Sequence, residues 1–251
     1  MNRVFIFDVD GTLTPSRQPM TKKFQEFFEQ WALKNTFYLV TGSDLPKLQE
    51  QMNGMEIHSS GIFTCCGNEF WQSDPAVHPR HCDLIYENKF ELPQHLQMFL
   101  TIVLNQSPYP HRYGNHIEDR GSMVNFSIVG RDCTQEQRDE FFKWDNEHNE
   151  RERIANIIKT KAKGIDAVIG GQISIDIYPT GNDKSQILDV IQQERLVEPD
   201  EYIFIGDRTE EGGNDYPVAQ LLIDKDRPYG YAYQTEGPKH TQRLLENTHN
   251  G

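Results

Sequence analysis

The sequence predicts a doubly wound α/β core built on a parallel sheet, interrupted by an inserted α+β cap domain with an antiparallel sheet of its own. Two observations carry the core. Short apolar runs that end in acids or small polar residues recur at Val4–Phe7, Phe37–Val40 and Tyr202–Ile205, as strands buried on both faces do. Between them lie stretches with helical spacing, such as Phe24, Phe27, Phe28 and Trp31, or Ile187, Leu188 and Ile191. Strands alternating with helices give a parallel doubly wound sheet.

A third observation carries the insertion. Beyond a helical stretch at Leu92–Leu104, apolar residues alternate along Val124, Phe126 and Ile128, and again along Ile173, Ile175 and Ile177. Period-2 alternation predicts strands with one apolar face on helices and one polar face exposed. That polar face carries Asn125, Ser127, Ser174 and Asp176. The segment Thr134–Lys163 is rich in helix formers; Thr134 and Gln137 fit a capping box, and DNEHNE is expected to bend or interrupt it. The change of pattern sets the expected boundaries: a core from 1–83 and 184–251, and an insertion over 84–183.

Composition narrows the function. The 251 residues suffice for one large domain or two of ordinary size. An apolar fraction of 36% and a charged fraction of 25% fit a folded globular protein. Net charge is −13, from 38 acidic against 25 basic residues, so the overall field repels nucleic acid. A phosphorylated small substrate stays compatible, because a few arginines and a metal ion grip it locally. Cys65, Cys66, Cys82 and Cys133 form no CxxC pair and are read as reduced packing residues. The opening MNRVFIFDVD lacks a basic leader and no run approaches a membrane span, so a cytoplasmic protein is expected.

The chemistry gathers at strand ends. Asp8 and Asp10 in DVDGT follow the first strand, and alternation sends both carboxylates to one side. Ligands of open α/β sheets bind beyond the strands' carboxyl ends. Paired carboxylates become stable around a hard cation such as magnesium. Asp8 is the expected nucleophile and Asp10 the general acid and base, with its backbone carbonyl available to the metal. Asp207 in GDR is the third expected metal ligand, and Asp215 in GGND an outer residue that orients it. Thr41 or Ser43 in TGSD, with Lys184 at a helix start, is expected to hold phosphoryl oxygens. Singly, each piece has a plainer reading: a turn cap, an ordinary turn, a solvated lysine. Their order along the chain is the specific signal.

That ordered set resembles the haloacid dehalogenase superfamily, whose core is Rossmann-like. DVDGTLTPSRQ, TGSDLPKLQEQ, RGSMVNFSIVGR, GGQISIDIYPTGNDK and GDRTEEGGNDYP further resemble, in order, segments of the eukaryotic-type phosphomannomutases. The resemblance implies that Arg17 contacts substrate beside the nucleophile loop. It implies that Arg120, Arg131 and Arg138 in the cap bind the distal phosphate and sugar, and that Ser174 and Asp176 contact the hexose phosphate. It also implies magnesium, a hexose 1,6-bisphosphate activator, homodimerisation through the cap and a place in GDP-mannose supply. Taken singly, Arg120 reads as a hairpin residue, Arg131 as a strand-end charge and Arg138 as part of a solvated helix.

Two departures stand out. Thr41 occupies a position where the mutases tend to have glycine, and YPVAQLLIDKD after GGND lacks the family's spacing for an additional cation. The implied reaction is interconversion of mannose 6-phosphate and mannose 1-phosphate. A sugar-phosphate phosphatase of the same fold is the alternative, and a non-catalytic binding protein, which would commonly have lost Asp8 or Asp10, ranks last.

Overall fold

A computed structural model describes residues 2–74, 76–78, 80–194, 199, 201–223 and 230–248. The chain divides into two compact units, Met1–Glu87 with Asp183–Gly251, and Asn88–Asn182.

The first unit is a seven-stranded sheet flanked by helices. Its strands are β1 (Arg3–Asp8), β2 (Thr36–Val40), β3 (Gly61–Thr64), β4 (Glu69–Ser73), β5 (Cys82–Glu87), β10 (Glu201–Gly206) and β11 (Gly230–Gln234). The order is β11-β10-β1-β2-β3-β4-β5, with β11 to β3 parallel and the β3–β4–β5 edge antiparallel. Asp83, the expected boundary, pairs with Gln72 inside the last of these ladders.

The three apolar runs are the centre of this sheet. Alternate residues of β1 feed two separate cores: Phe5 and Phe7, continued by Val9 just past the strand, on one face, and Val4 and Ile6 on the other. Helix α1 (Lys22–Ala32) closes the first face with Phe24, Phe28 and Trp31, and the rings of Phe28 and Trp31 meet Phe5, Phe7 and Phe37. Helix α6 (Ile187–Glu194) covers the second through Ile187, Leu188 and Ile191. At about 1.5–3 kcal/mol per buried large apolar side chain, these two faces hold the strand ends in place. Helices α2 (Leu45–Met52), α7 (Tyr216–Ile223) and α8 (Pro238–Thr248) complete the layers.

The second unit places α3 (Gln94–Gln106), α4 (Gln135–His148) and α5 (Glu150–Lys161) with a four-stranded antiparallel sheet. Its order is β6-β7-β9-β8, for β6 (Ile117–Asp119), β7 (Val124–Ser127), β8 (Ile165–Gly170) and β9 (Ser174–Pro179). The alternating apolar residues share one core with Leu96, Leu100, Phe141, Ile154 and Ile158. The capping box at Thr134 and Gln137 forms. Within DNEHNE the helix breaks at Asn149, whose left-handed φ of 52° ends α4 and opens α5.

The polar sheet face differs from expectation: Asn125, Ser127, Ser174 and Asp176 share it but are buried. Asn125 donates to Asp176, Ser174 Oγ accepts from Arg131, and Ser127 Oγ accepts from the Gly130 N–H. All four cysteines are free thiols, three of them buried. Among the described residues no helix is long and apolar enough to cross a membrane.

Candidate active site

Register brings the chemistry together. Asp8 pairs with Val40 across β1 and β2, and Phe7 with Ile205 across β1 and β10. The loops carrying Thr41 and Asp207 therefore leave the sheet on either side of Asp8, at the carboxyl ends of three adjacent parallel strands.

Asp8 is almost fully buried. Its Oδ1 accepts from Lys184 Nζ at 2.7 Å and its Oδ2 from Thr12 Oγ1 at 3.1 Å. Lys184 Nζ also donates to Asp215 Oδ1 at 2.7 Å. Asp215 Oδ2 in turn accepts from the Arg208 backbone N–H at 3.1 Å. The plainer reading of Lys184 as a solvated lysine is excluded, since it is only 1% exposed.

Asp8, Asp207 and Asp215 offer carboxylate oxygens within 4.8 Å of one another. Three acids face one buried ammonium, an imbalance that shows in their proton affinities. Burial, set against Lys184 and reinforced by Asp215, pushes the Asp8 carboxyl up to about 7. Burial and then the charge of Asp8 push Asp207 to about 9. Lys184 stays charged well beyond its ordinary range, because the attraction of Asp215 and Asp8 outweighs burial. A hard divalent cation bound by oxygen donors relieves this repulsion, so the donor set fits magnesium.

Gly11 makes the approach of Asp207 possible. A Cβ there would lie 2.5 Å from Asp207 Oδ2, and its φ of +91° is one that side chains avoid.

Asp10 lies half-buried just beyond, with its carboxylate engaged elsewhere. Its Oδ1 accepts from the Arg17 backbone N–H and, at 3.0 Å, from Gln51 Nε2. Arg17 adopts a left-handed φ of 55°, so the Arg17 turn meets Asp10 through its main chain. Thr41 is buried, and its Oγ1 accepts from the Ser43 N–H at 3.1 Å. Lys184 opens a 3₁₀ turn (Lys184–Gln186) capped by Asp183, which leads into α6.

Two partners escaped sequence reasoning. Gln51 holds Asp10 from α2, and Gln186 Nε2 donates to Cys66 O at 3.2 Å, tying the Lys184 turn to the segment after β3. Cys65, Cys66 and Gly67 are all left-handed there, with φ of 51°, 60° and 88°. The Cys-Cys-Gly triplet was the available signal for that turn, and the signal for Gln51 was its place at the end of TGSDLPKLQEQ.

In the second unit the arginines converge on one carboxylate. Arg120 Nη2 lies 2.6 Å and Arg131 Nε 3.1 Å from Glu118 Oε2. Arg131 Nη1 donates to Ser174 Oγ at 2.8 Å. Arg120 does sit in the β6–β7 hairpin, where its N–H donates to Met123 O. Arg138, buried instead of solvated, donates to Arg131 O at 3.3 Å. Asp176 Oδ1 accepts from Asn125 Nδ2 at 2.6 Å. Two guanidinium groups thus share one glutamate carboxylate on this sheet. Of the YPVAQLLIDKD stretch, Asp224, Lys225 and Asp226 lie outside the described residues.

The family model for eukaryotic phosphomannomutase matches residues 24–250. A phosphomannomutase of Drosophila melanogaster is 35% identical over 96% of this chain and 93% of its own. One from Encephalitozoon cuniculi is 37% identical over 86% and 83%. Among solved structures, the IMP-nucleotidase of Plasmodium falciparum with bound IMP superposes with a TM-score of 0.64. It is 15% identical, over 99% of this chain and 68% of that one. A Streptococcus mutans protein gives 0.62 at 13% identity over 99% of both chains. Those structural likenesses speak to the fold.

Proposed function

The chain belongs to the eukaryotic phosphomannomutase family on a haloacid dehalogenase core, and from that premise we propose that it interconverts mannose 6-phosphate and mannose 1-phosphate through an aspartyl-phosphate on Asp8. The observation that carries this reading is the buried Asp8 carboxylate held between Lys184 and Thr12 beside two further acids.

Asp8 attacks one phosphorus of the hexose 1,6-bisphosphate; the bond from that phosphorus to the sugar oxygen breaks as the bond to the Asp8 carboxylate forms, leaving a hexose monophosphate. Asp10 gives its proton to the departing sugar oxygen. The free hydroxyl of a hexose monophosphate then takes the phosphoryl group from Asp8 and surrenders its proton to Asp10, which regenerates the bisphosphate. Lys184 keeps the charge of Asp8 and Asp215 in balance, while Thr41 and Ser43 receive phosphoryl oxygens. Asp8, Asp207 and the Asp10 carbonyl would hold magnesium, with Asp215 orienting that set. When bound, the ion supplies charge neutralisation for the phosphoryl oxygens.

A mutase must also retain the hexose 1,6-bisphosphate between half-reactions, which requires a second anion site. The sheet face of the inserted unit, with Arg120, Arg131, Arg138, Ser174 and Asp176, supports that role, and Arg17 contacts substrate beside the nucleophile loop. A simple phosphatase has no need of this set. The same reading carries activation by hexose 1,6-bisphosphate, a cytoplasmic homodimer joined through the inserted unit, and supply of a sugar-nucleotide precursor.

Rapid quenching of enzyme with phosphorus-32-labelled hexose bisphosphate, followed by peptide mapping, tests the intermediate. Label on the peptide containing Asp8, absent in Asp8→Asn, is expected. Label elsewhere, or retained turnover in Asp8→Asn, overturns the mechanism.

A further inference from the structure

Among the described residues Asp10 is anchored through one oxygen, and the anchor is the last residue of the TGSDLPKLQEQ segment. Gln51 is completely buried on α2. Its Nε2 donates to Asp10 Oδ1 at 3.0 Å and to Thr14 Oγ1 at 3.1 Å, and Thr14 Oγ1 lies 3.2 Å from Val9 O. Its main-chain carbonyl accepts from the Met20 N–H at 2.7 Å. One residue thus ties three points of the loop after β1: the acid, the turn that follows it, and the lead-in to α1.

We propose that Gln51 is a positioning residue that sets the Asp10 carboxylate for proton transfer. The amide N–H and the Arg17 N–H both engage Oδ1, which leaves Oδ2 as the oxygen that exchanges a proton with the sugar hydroxyl. Holding one oxygen fixes the carboxylate plane, and proton transfer requires that fixed reach. The side chain is paired with Asp10 across 41 positions of sequence, and burial keeps water from competing for Oδ1. The inference rests on the proposed aspartyl-phosphate mechanism.

The test uses the full-length magnesium enzyme and Gln51→Met, which matches glutamine in length and removes the donor. Two quantities are read: kcat with mannose 1-phosphate, and affinity for beryllium trifluoride, which mimics the phosphoryl group on Asp8 without any proton transfer. The expected result is a kcat lower by about 10–100-fold, a part of the full worth of a general acid, with unchanged KM and beryllium trifluoride affinity within about twofold. A kcat within about threefold of wild type overturns the proposal. So does a parallel loss of beryllium trifluoride affinity, which would make Gln51 a support for the nucleophile loop as a whole. Should Gln51→Met fail to fold, Gln51→Glu takes its place, with the same two quantities measured and the same outcomes supporting or overturning the proposal. A wild-type enzyme that neither turns over mannose 1-phosphate nor binds beryllium trifluoride overturns the mechanism underneath instead.

Discussion

Lys184 Nζ stands 2.7 Å from Asp8 Oδ1 and 2.7 Å from Asp215 Oδ1, a single buried ammonium bridging two carboxylates that come from opposite ends of the chain. Removing one partner of such a buried set leaves charge without compensation, at a cost of about 3–5 kcal/mol. Lys184→Met is therefore expected to melt well below wild type without magnesium and to form phosphoenzyme far more slowly. Thermal melts and quench experiments check both; a variant with wild-type stability would show that the bridge contributes nothing.

The same cluster makes stability depend on pH in a definite sense. Asp8 and Asp207 ionise at about 7 and about 9 in the folded, metal-free protein, chiefly through burial, but near 4 when unfolded. Between those values the folded state holds protons that the unfolded chain has released, so stability falls as pH rises. Lys184 is charged in both states across this window and adds no slope. A divalent cation takes the place of those protons. The rise in Tm on adding magnesium should grow from about pH 6 to about pH 9; a rise independent of pH would contradict the buried acid cluster.

Gly11→Ala tests the metal acid from the opposite side. Its new Cβ would fall 2.5 Å from Asp207 Oδ2 on a backbone of φ +91°. Displacing a ligand in this way costs about 10–100-fold in metal affinity, as loss of a supporting partner does. Magnesium titration of activity reads it, and an unchanged titration midpoint would take Asp207 out of the metal set.

Arg131→Ala separates the two reactions open to this fold. Arg131 contacts both Ser174 and Glu118 on the inserted sheet, and a charged hydrogen bond to a phosphate is worth about 1.5–3 kcal/mol. Mutase turnover should fall by roughly 10–100-fold, while hydrolysis of a small phosphate ester changes little. Equal losses in both assays would argue against a second anion site there.

The legibility of the fold followed burial. Strands β1, β2 and β10 lie in the middle of the sheet, so their residues are apolar on both faces and read as unbroken runs. The edge strands β5 and β11 expose residues such as Leu84, Ile85 and Tyr231, and that mixture hid them. Helix signals were local and survived: the Thr134–Gln137 box and the break in DNEHNE at Asn149 are both present.

Site residues were legible where chemistry and strand ends coincide, as at Asp8, Asp10 and Asp207. Partners supplied from afar were not. Gln51 meets Asp10 only because α2 folds back over the loop after β1, and Arg151, buried against Asp145 at 2.7 Å, gave no sign in the charged first turn of α5. Period-2 alternation placed Ser174 and Asp176 on one face correctly. It carried no information on what would cover that face, and so misjudged their exposure.

The proposed mechanism moves phosphate between two hydroxyls of one sugar instead of passing it to water. A phosphorus NMR time course with mannose 1-phosphate, magnesium and a trace of hexose 1,6-bisphosphate tests this directly. Mannose 6-phosphate is expected to accumulate, and to do so only with the bisphosphate present. Appearance of inorganic phosphate alone would contradict the mechanism and make the chain a phosphatase.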